Sequence, residues 1–245
     1  MEENELQKIV GIVSWLPDNK DREARVHDLC RLVSQINRLW PFIPIYIYAQ
    51  NWDEIIVAQM ESVYNNIHLK LISGRPGILK ARKELRKWLL TTNADYFILF
   101  DDDADIVSNN FAEEELLRRM DANPNGWAFS RHFLPGQAPA KYNPFAHSQL
   151  NLCCLSRYIF EKEDFPCYNP EKSEAFEDRI YSMTLLCKYP ELEFEIPYDI
   201  YCKHFKSGNP STWSQAKKYD WKRMRANTDV IERGLLDLYK SKKSQ

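Results

Sequence analysis

Four strand-length apolar runs in the first hundred residues, each followed by a different kind of break, constrain this chain more than any other feature. KIVGIVSWL, FIPIYIYA, IHLKLIS and the run YFILF at 96–100 are β-branched and aromatic throughout, the character of strands buried on both faces. Between the first two, Val26, Leu29, Cys30, Val33 and Ile36 recur at helical spacing behind a polar start near Asn19 and Asp21, and Pro41 follows the end. A short helical stretch covers 53–60. After Gly74-Arg75-Pro76-Gly77, the residues Ile78, Ala81, Leu85, Trp88 and Leu89 form one apolar face of a helix over 78–90 whose other face is basic. Strands alternating with helices predict an α/β fold, a mainly parallel, doubly wound, Rossmann-like sheet flanked by helices. Ligands of such sheets bind beyond the carboxyl ends of the strands.

The rhythm changes after residue 105. The sequence predicts a helix from Asn109-Asn110 to 120, a turn at Pro124-Asn125-Gly126 and a strand over 127–133. Residues 134–150 are rich in Pro, Gly, Ala, Asn and Gln, and an irregular segment of that length in a compact protein is often functional; part of an acceptor site is expected there. A strand over 150–155, a helix over 173–186 and a strand over 194–200 follow, before the polar segment KHFKSGNPSTW. A length of 245 residues suits one domain. Its expected divisions are about 1–105, about 106–205 with an α+β character, and a basic segment over 206–245.

Composition removes some alternatives. With 44% hydrophobic and 28% charged residues the chain is an ordinary globular protein, not a disordered one. A formal net charge of −2 gives no global attraction to polyanions. The local run Lys203, Lys206, Lys217, Lys218, Lys222, Arg223 and Arg225, with Lys240, Lys242 and Lys243 behind it, still allows nucleic-acid or peripheral membrane contact. A solvated, frayed end is the plainer reading of that tail. No apolar stretch approaches the roughly 20 residues that cross a bilayer. Cysteines 30, 153, 154, 167, 187 and 202 form no C-x-x-C pair and follow no secretory leader, so they read as reduced thiols of a cytoplasmic protein.

Chemistry concentrates where the fourth run stops. Asp101, Asp102 and Asp103, with Asp105 close behind, put several carboxylates at a strand end. Crowding of that kind is costly unless a cation sits among them, and oxygen-only ligands favour Mg²⁺ or Mn²⁺ over Zn²⁺. A solvated acidic loop or a helix cap is the competing reading. Arg75, Lys80 and Arg82 surround the start of the third helix and suit phosphate, although any one of them also fits a solvated basic face. Asp18 is able to accept hydrogen bonds from a nucleobase or ribose, and serves equally well as a turn residue.

The parallel α/β half, the basic helix opening with RPGILKAR, the sequence YFILFDDDAD and a downstream FEDRIY together resemble GT-A glycosyltransferases of the family 2 type. The likeness covers about residues 8–205. It implies a nucleotide-sugar donor, UDP-linked, with Mn²⁺ or Mg²⁺ as cofactor and a hexosyl or pentosyl group transferred to a glycan or glycolipid hydroxyl with inversion. Residue by residue, it implies that Asp101 contacts ribose or metal and that Asp103 ligates the metal bridging the diphosphate. His204 becomes a third metal ligand, against the alternative of an unrelated surface or core histidine. Ser14, Asp18 and Asp102 fall on the nucleotide side. Asp178 of the pair Glu177-Asp178 becomes the base that deprotonates the acceptor; by themselves, two acids on a helix read as surface residues. The family usually has a Gly-rich stretch before an Asn and a downstream Arg, whereas the corresponding segment here reads Gln149-Leu150-Asn151-Leu152-Cys153-Cys154 up to Arg157, so the transferred sugar is left unnamed.

Other classes fit parts of the pattern. A glycosyltransferase acting on hydroxylated bases of viral DNA would use the basic segment after Lys203. A nucleotidyltransferase would keep the sheet and metal, but lacks the expected Gly-rich phosphate loop near the first strand. A non-catalytic nucleotide-binding module would leave the joint presence of the aspartate cluster and Glu177-Asp178 without a purpose.

Overall fold

The computed structural model describes residues 6–18, 21–74, 77–106, 118, 127–129, 131–133, 153–165, 177–189, 194–195, 201–204 and 233–242. Its first hundred residues follow the alternation read from the sequence: β1 (Lys8–Trp15), α1 (Arg22–Leu39), β2 (Ile45–Gln50), α2 (Glu54–Val63), β3 (Ile67–Ile72), α3 (Ile78–Leu89) and β4 (Tyr96–Asp101). Then come β5 (Ala104–Ile106), β6 (Trp127–Phe129), β7 (Arg131–Phe133), β8 (Cys153–Ser156), α4 (Arg157–Lys162), α5 (Glu177–Lys188), β9 (Phe194–Glu195) and β10 (Tyr201–His204). A last helix, α6, spans 233–242.

Seven strands form one sheet in the order β3-β2-β1-β4-β8-β6-β9, and β5-β10-β7 form a second, smaller one. β1 pairs in parallel with both β2 and β4, and β2 with β3, while β8 runs antiparallel to β4. The sheet is therefore mainly parallel in its first half, as expected. The strand order turns back at β1, with β2 and β3 on one side and β4 on the other. Such a reversal leaves a crevice beyond the carboxyl ends of β1 and β4.

Alternation along the strands divides the core between the two faces of the sheet. Val10, Ile12, Ile45, Ile47, Ile98 and Phe100 pack with Leu29, Leu32, Val33 and Ile36 of α1 and with Val57 and Met60 of α2. Ile9, Val13, Phe97 and Leu99 pack on the other face with Leu79, Ala81, Leu85 and Leu89 of α3 and with Tyr181 and Leu185 of α5. A Cβ at Gly11 would meet Leu89 Cδ1 at 2.8 Å and Leu99 Cδ2 at 3.0 Å, so glycine lets α3 lie close against β1.

Several later elements differ from expectation. The single strand expected over 127–133 is two strands in different sheets, since β6 pairs with β8 and β9 whereas β7 pairs with β10. Of the strand expected over 194–200, β9 covers Phe194–Glu195, residues 196–200 lie outside the described residues, and β10 begins at Tyr201. Residues 233–242 are helical, where a frayed tail was expected around Lys240 and Lys242. Cys187 Sγ donates to the Leu235 carbonyl at 2.9 Å, and Tyr239 packs on the α3-side core. The helix expected over 109–120 and the irregular segment 134–150 lie outside the described residues, apart from Arg118. Among the described residues, no helix is long and apolar enough to cross a membrane, and Cys30, Cys153, Cys154 and Cys187 are free thiols.

Candidate functional site

At the carboxyl ends of β1 and β4, three consecutive aspartates are met by two arginines arriving from opposite faces of the sheet. Asp101 continues the α3-facing row of Phe97 and Leu99, so it meets α3: Arg82 Nη2 donates to its Oδ1 at 2.8 Å. Arg82 is buried, with a side chain 6% exposed, while that of Asp101 is 27% exposed. The next two aspartates meet α1. Arg25 Nη1 donates to Asp102 Oδ1 at 3.0 Å and lies 3.5 Å from Asp103 Oδ2.

Like Asp103, Asp102 is buried. Its Oδ2 accepts from Ser14 Oγ at 2.7 Å and from the Trp15 backbone N–H at 3.3 Å, and Ser14 Oγ in turn accepts from Trp52 Nε1 at 3.1 Å. Both carboxylate oxygens are thus engaged within the protein. Burial pushes the Asp102 carboxyl up from its usual range, with Arg25 pulling it back; the Arg25 guanidinium is itself held more firmly charged, above all by Asp102. Asp105 leaves the cluster, accepting from Gln35 Nε2 at 2.6 Å.

The loop after β1 is stapled to the loop after β2. Asn51 takes a left-handed backbone (φ 59°), a conformation that asparagine tolerates well. Its Nδ2 donates to the Leu16 carbonyl and to Asp18 Oδ1, each at 3.0 Å. Arg22 reaches both Asp18 and Asp53. Beside them the Gln50 side chain, at the end of β2, is buried and its Oε1 has no hydrogen-bond partner. A buried acceptor without a donor is costly unless a ligand supplies one.

Donor chemistry bears on whether a cation suits this place. Asp101 and Asp103 offer only carboxylate oxygen, the set that suits Mg²⁺ or Mn²⁺. Among the described residues no three His, Cys, Asp or Glu side chains group as metal ligands. A cation here would take most of its coordination from water and ligand oxygens, as Mg²⁺ commonly does. Asp101 already pairs with Arg82 and Asp103 lies buried beside Arg25, so the described residues do not form a closed protein cage for a cation.

The fold is similar to that of solved proteins. S. aureus TarS 1-349 in complex with UDP-GlcNAc superposes with a TM-score of 0.62 at 12% identity, over 96% of this chain and 70% of that one. S. aureus TarS gives 0.60 at 10% identity, over 82% and 37%. GalNAc-T7 with UDP, GalNAc and Mn²⁺ gives 0.57 at 14% identity, over 85% and 46%. These neighbours are GT-A glycosyltransferases. The chain has the GT-A fold. No protein-family model and no curated protein matches it in sequence, and it spans 37% to 70% of the length of these three neighbours.

Within this GT-A frame the residues singled out from the sequence fall into groups. Ser14, Asp101, Asp102, Asp103 and Arg82 come together directly. Asp18 stands exposed at the rim. Lys80 is exposed two residues before buried Arg82 and so lies on another side of α3. His204 pairs with Ala104 across β10 and β5, which brings it beside Asp103 along the chain. Asp178 is the second residue of α5. One turn further on, the Tyr181 ring lies tilted against Phe165 with centroids 4.4 Å apart, and Phe165 lines a small cavity with Gly11 and Arg82. Arg75 lies outside the described residues. Arg157 is bound far from the site: it donates to the Ala94 and Thr92 carbonyls at 2.7 and 2.6 Å, at the amino end of β4.

Sequence reasoning missed Arg25 and Trp52. Arg25 lay in the polar stretch of an amphipathic helix, and Trp52 in a turn. The available signal was a cation in the first turns of α1, where the helix dipole disfavours one and an acidic partner is needed.

Proposed function

We propose that this chain is a metal-dependent glycosyltransferase that moves a sugar from a UDP-linked donor to a hydroxyl of a glycan or glycolipid, with inversion. The observation that carries the reading is the aspartate cluster at the β1/β4 reversal of a GT-A fold, flanked by two largely buried arginines. Neighbours of the same fold are crystallised with UDP-GlcNAc, and with UDP and Mn²⁺.

Asp101 and Asp103, with His204, would hold Mn²⁺ or Mg²⁺. Such a cation, when bound, neutralises charge on a leaving diphosphate. Arg82, with Arg75, supplies positive charge for the phosphates, and Lys80, on another side of α3, adds charge at longer range. Asp18, exposed at the rim, is suited to accept from the base or ribose, with Ser14 behind it near the end of β1. Asp102 contributes by holding the strand ends and Arg25 in place.

In the reaction an acceptor oxygen attacks the anomeric carbon, its proton passes to the Asp178 carboxylate, and the carbon–oxygen bond to the diphosphate breaks with its electron pair staying on the phosphate oxygen. UDP release from UDP-sugars, measured with a panel of glycan and glycolipid acceptors, tests the assignment. Asp178→Asn should lower acceptor-dependent release by about a hundredfold or more while UDP binding persists. Unchanged turnover would remove Asp178 as the base.

A further inference from the structure

The sheet has a second end, to which the reading above gives no role. An open groove of about 600 Å³ lies at the amino ends of β1 and β2, beside the turn that follows α3, a volume in the range of small-ligand sites. The register of β1 on β4 puts Lys8 opposite Tyr96 and Val13 opposite Asp101, so the groove stands roughly 17 Å of strand from the aspartates. Its lining divides by burial. Ile9, Pro44 and Tyr46, buried or half-buried, give apolar surface, while exposed Gln7 and Asn93 give side-chain amides. The Tyr46 ring is fixed by stacking on His68, with centroids 4.6 Å apart, and by an edge contact with Trp88 at 4.9 Å. The backbone around the amides is fixed as well. Gln7 N–H donates to Asp95 Oδ2 at 2.8 Å and its carbonyl accepts from the Asp95 and Tyr96 N–H groups. Arg157 holds the Thr92 and Ala94 carbonyls on either side of Asn93. Among the described residues, the two amides and the Tyr46 hydroxyl have no hydrogen-bond partner. Walls set in place in this way need little ordering on binding.

We propose that this groove is a carbohydrate subsite that holds a stretch of oligosaccharide away from the transfer edge. A sugar ring offers the two surfaces that the groove answers. Its C–H faces suit Tyr46 and Pro44, and its adjacent hydroxyls both donate and accept, as a side-chain amide does. The open form of the groove suits a chain that continues beyond it. The choice of a glycan as occupant rests on the acceptor proposed above. A glycan too short to cover roughly 17 Å engages one end of the sheet only. A longer chain held here supplies its far end to the aspartate edge at a raised effective concentration.

The experiment is a titration of the isotope-labelled full chain, without nucleotide or metal, with maltohexaose, cellohexaose and chitohexaose, followed by amide nuclear magnetic resonance. At least one of these sugars should shift the Asn93 side-chain amide and the Lys8 and Thr92 backbone amides to saturation. Asn93→Ala, which removes one amide, should weaken that binding about fivefold. Asn93→Trp, which fills the groove from an exposed position, should abolish it. Asn93 lies outside the core, and an unchanged urea midpoint checks that both variants fold. No shift at these amides with any of the three sugars overturns the proposal, as does binding that Asn93→Trp leaves at wild-type strength. Shifts at the groove that follow protein concentration with no sugar present also overturn it, because they mark a second copy of the chain as the occupant. UDP binding to wild type separates the two readings. Hexasaccharide binding at the groove without UDP binding sinks the donor site and leaves the groove standing, whereas UDP binding without hexasaccharide binding sinks the groove alone.

Discussion

At the scale of single residues, the three adjacent aspartates do different work because the strand sends their side chains to different neighbours. Asp101 meets Arg82 from α3, while Asp102 meets Arg25, Ser14 and the Trp15 amide. Ser14 is the joint: it donates to Asp102 and accepts from Trp52. Ser14→Ala leaves a buried carboxylate and a buried indole N–H each short of a partner. It should cost about 1–3 kcal/mol, read as a lower urea midpoint at unchanged slope. A midpoint equal to wild type would show that the Trp52-Ser14-Asp102 chain holds nothing. The cluster itself was legible as an abrupt stop of an apolar run. The division of labour within it was not, since Arg25 is 77 residues from Asp102 and only the fold brings them together.

At the scale of elements, the site depends on how closely α3 lies on the sheet. Gly11 permits contact with Leu89 and Leu99, and α3 carries Arg82 to Asp101. Gly11→Ala forces those leucines to give way. It should destabilise the protein by about 1–3 kcal/mol in urea unfolding, since added volume in a packed core strains its neighbours. A neutral result would mean that the helix–strand gap has slack. The three β-α units and the fourth parallel strand were legible because buried strands and amphipathic helices have different periods over long enough windows. Later elements were not. β6, β7 and β9 have two or three residues each, and α4 has six. Windows that short hold no period, and membership of one sheet or the other is decided by partners distant in sequence.

At the scale of the molecule, the reversal of strand order at β1 gathers groups from both faces of the sheet at one edge. α1 brings Arg25, α3 brings Arg82, β4 ends in the aspartates, and β10 places His204 opposite Ala104. The central claim is that this edge binds a nucleoside diphosphate together with a divalent cation. The most direct test is a thermal-shift titration with UDP and UDP-sugars, with and without Mn²⁺, on wild type and Asp103→Ala. At a ligand concentration about a hundredfold above Kd, binding adds about 2.7 kcal/mol to stability. For a chain of 245 residues that is a rise of roughly 5–10 °C in Tm. This rise is expected in wild type only when nucleotide and Mn²⁺ are both present, and is lost in Asp103→Ala. A Tm that no nucleotide moves, or one that moves equally in Asp103→Ala, would contradict it.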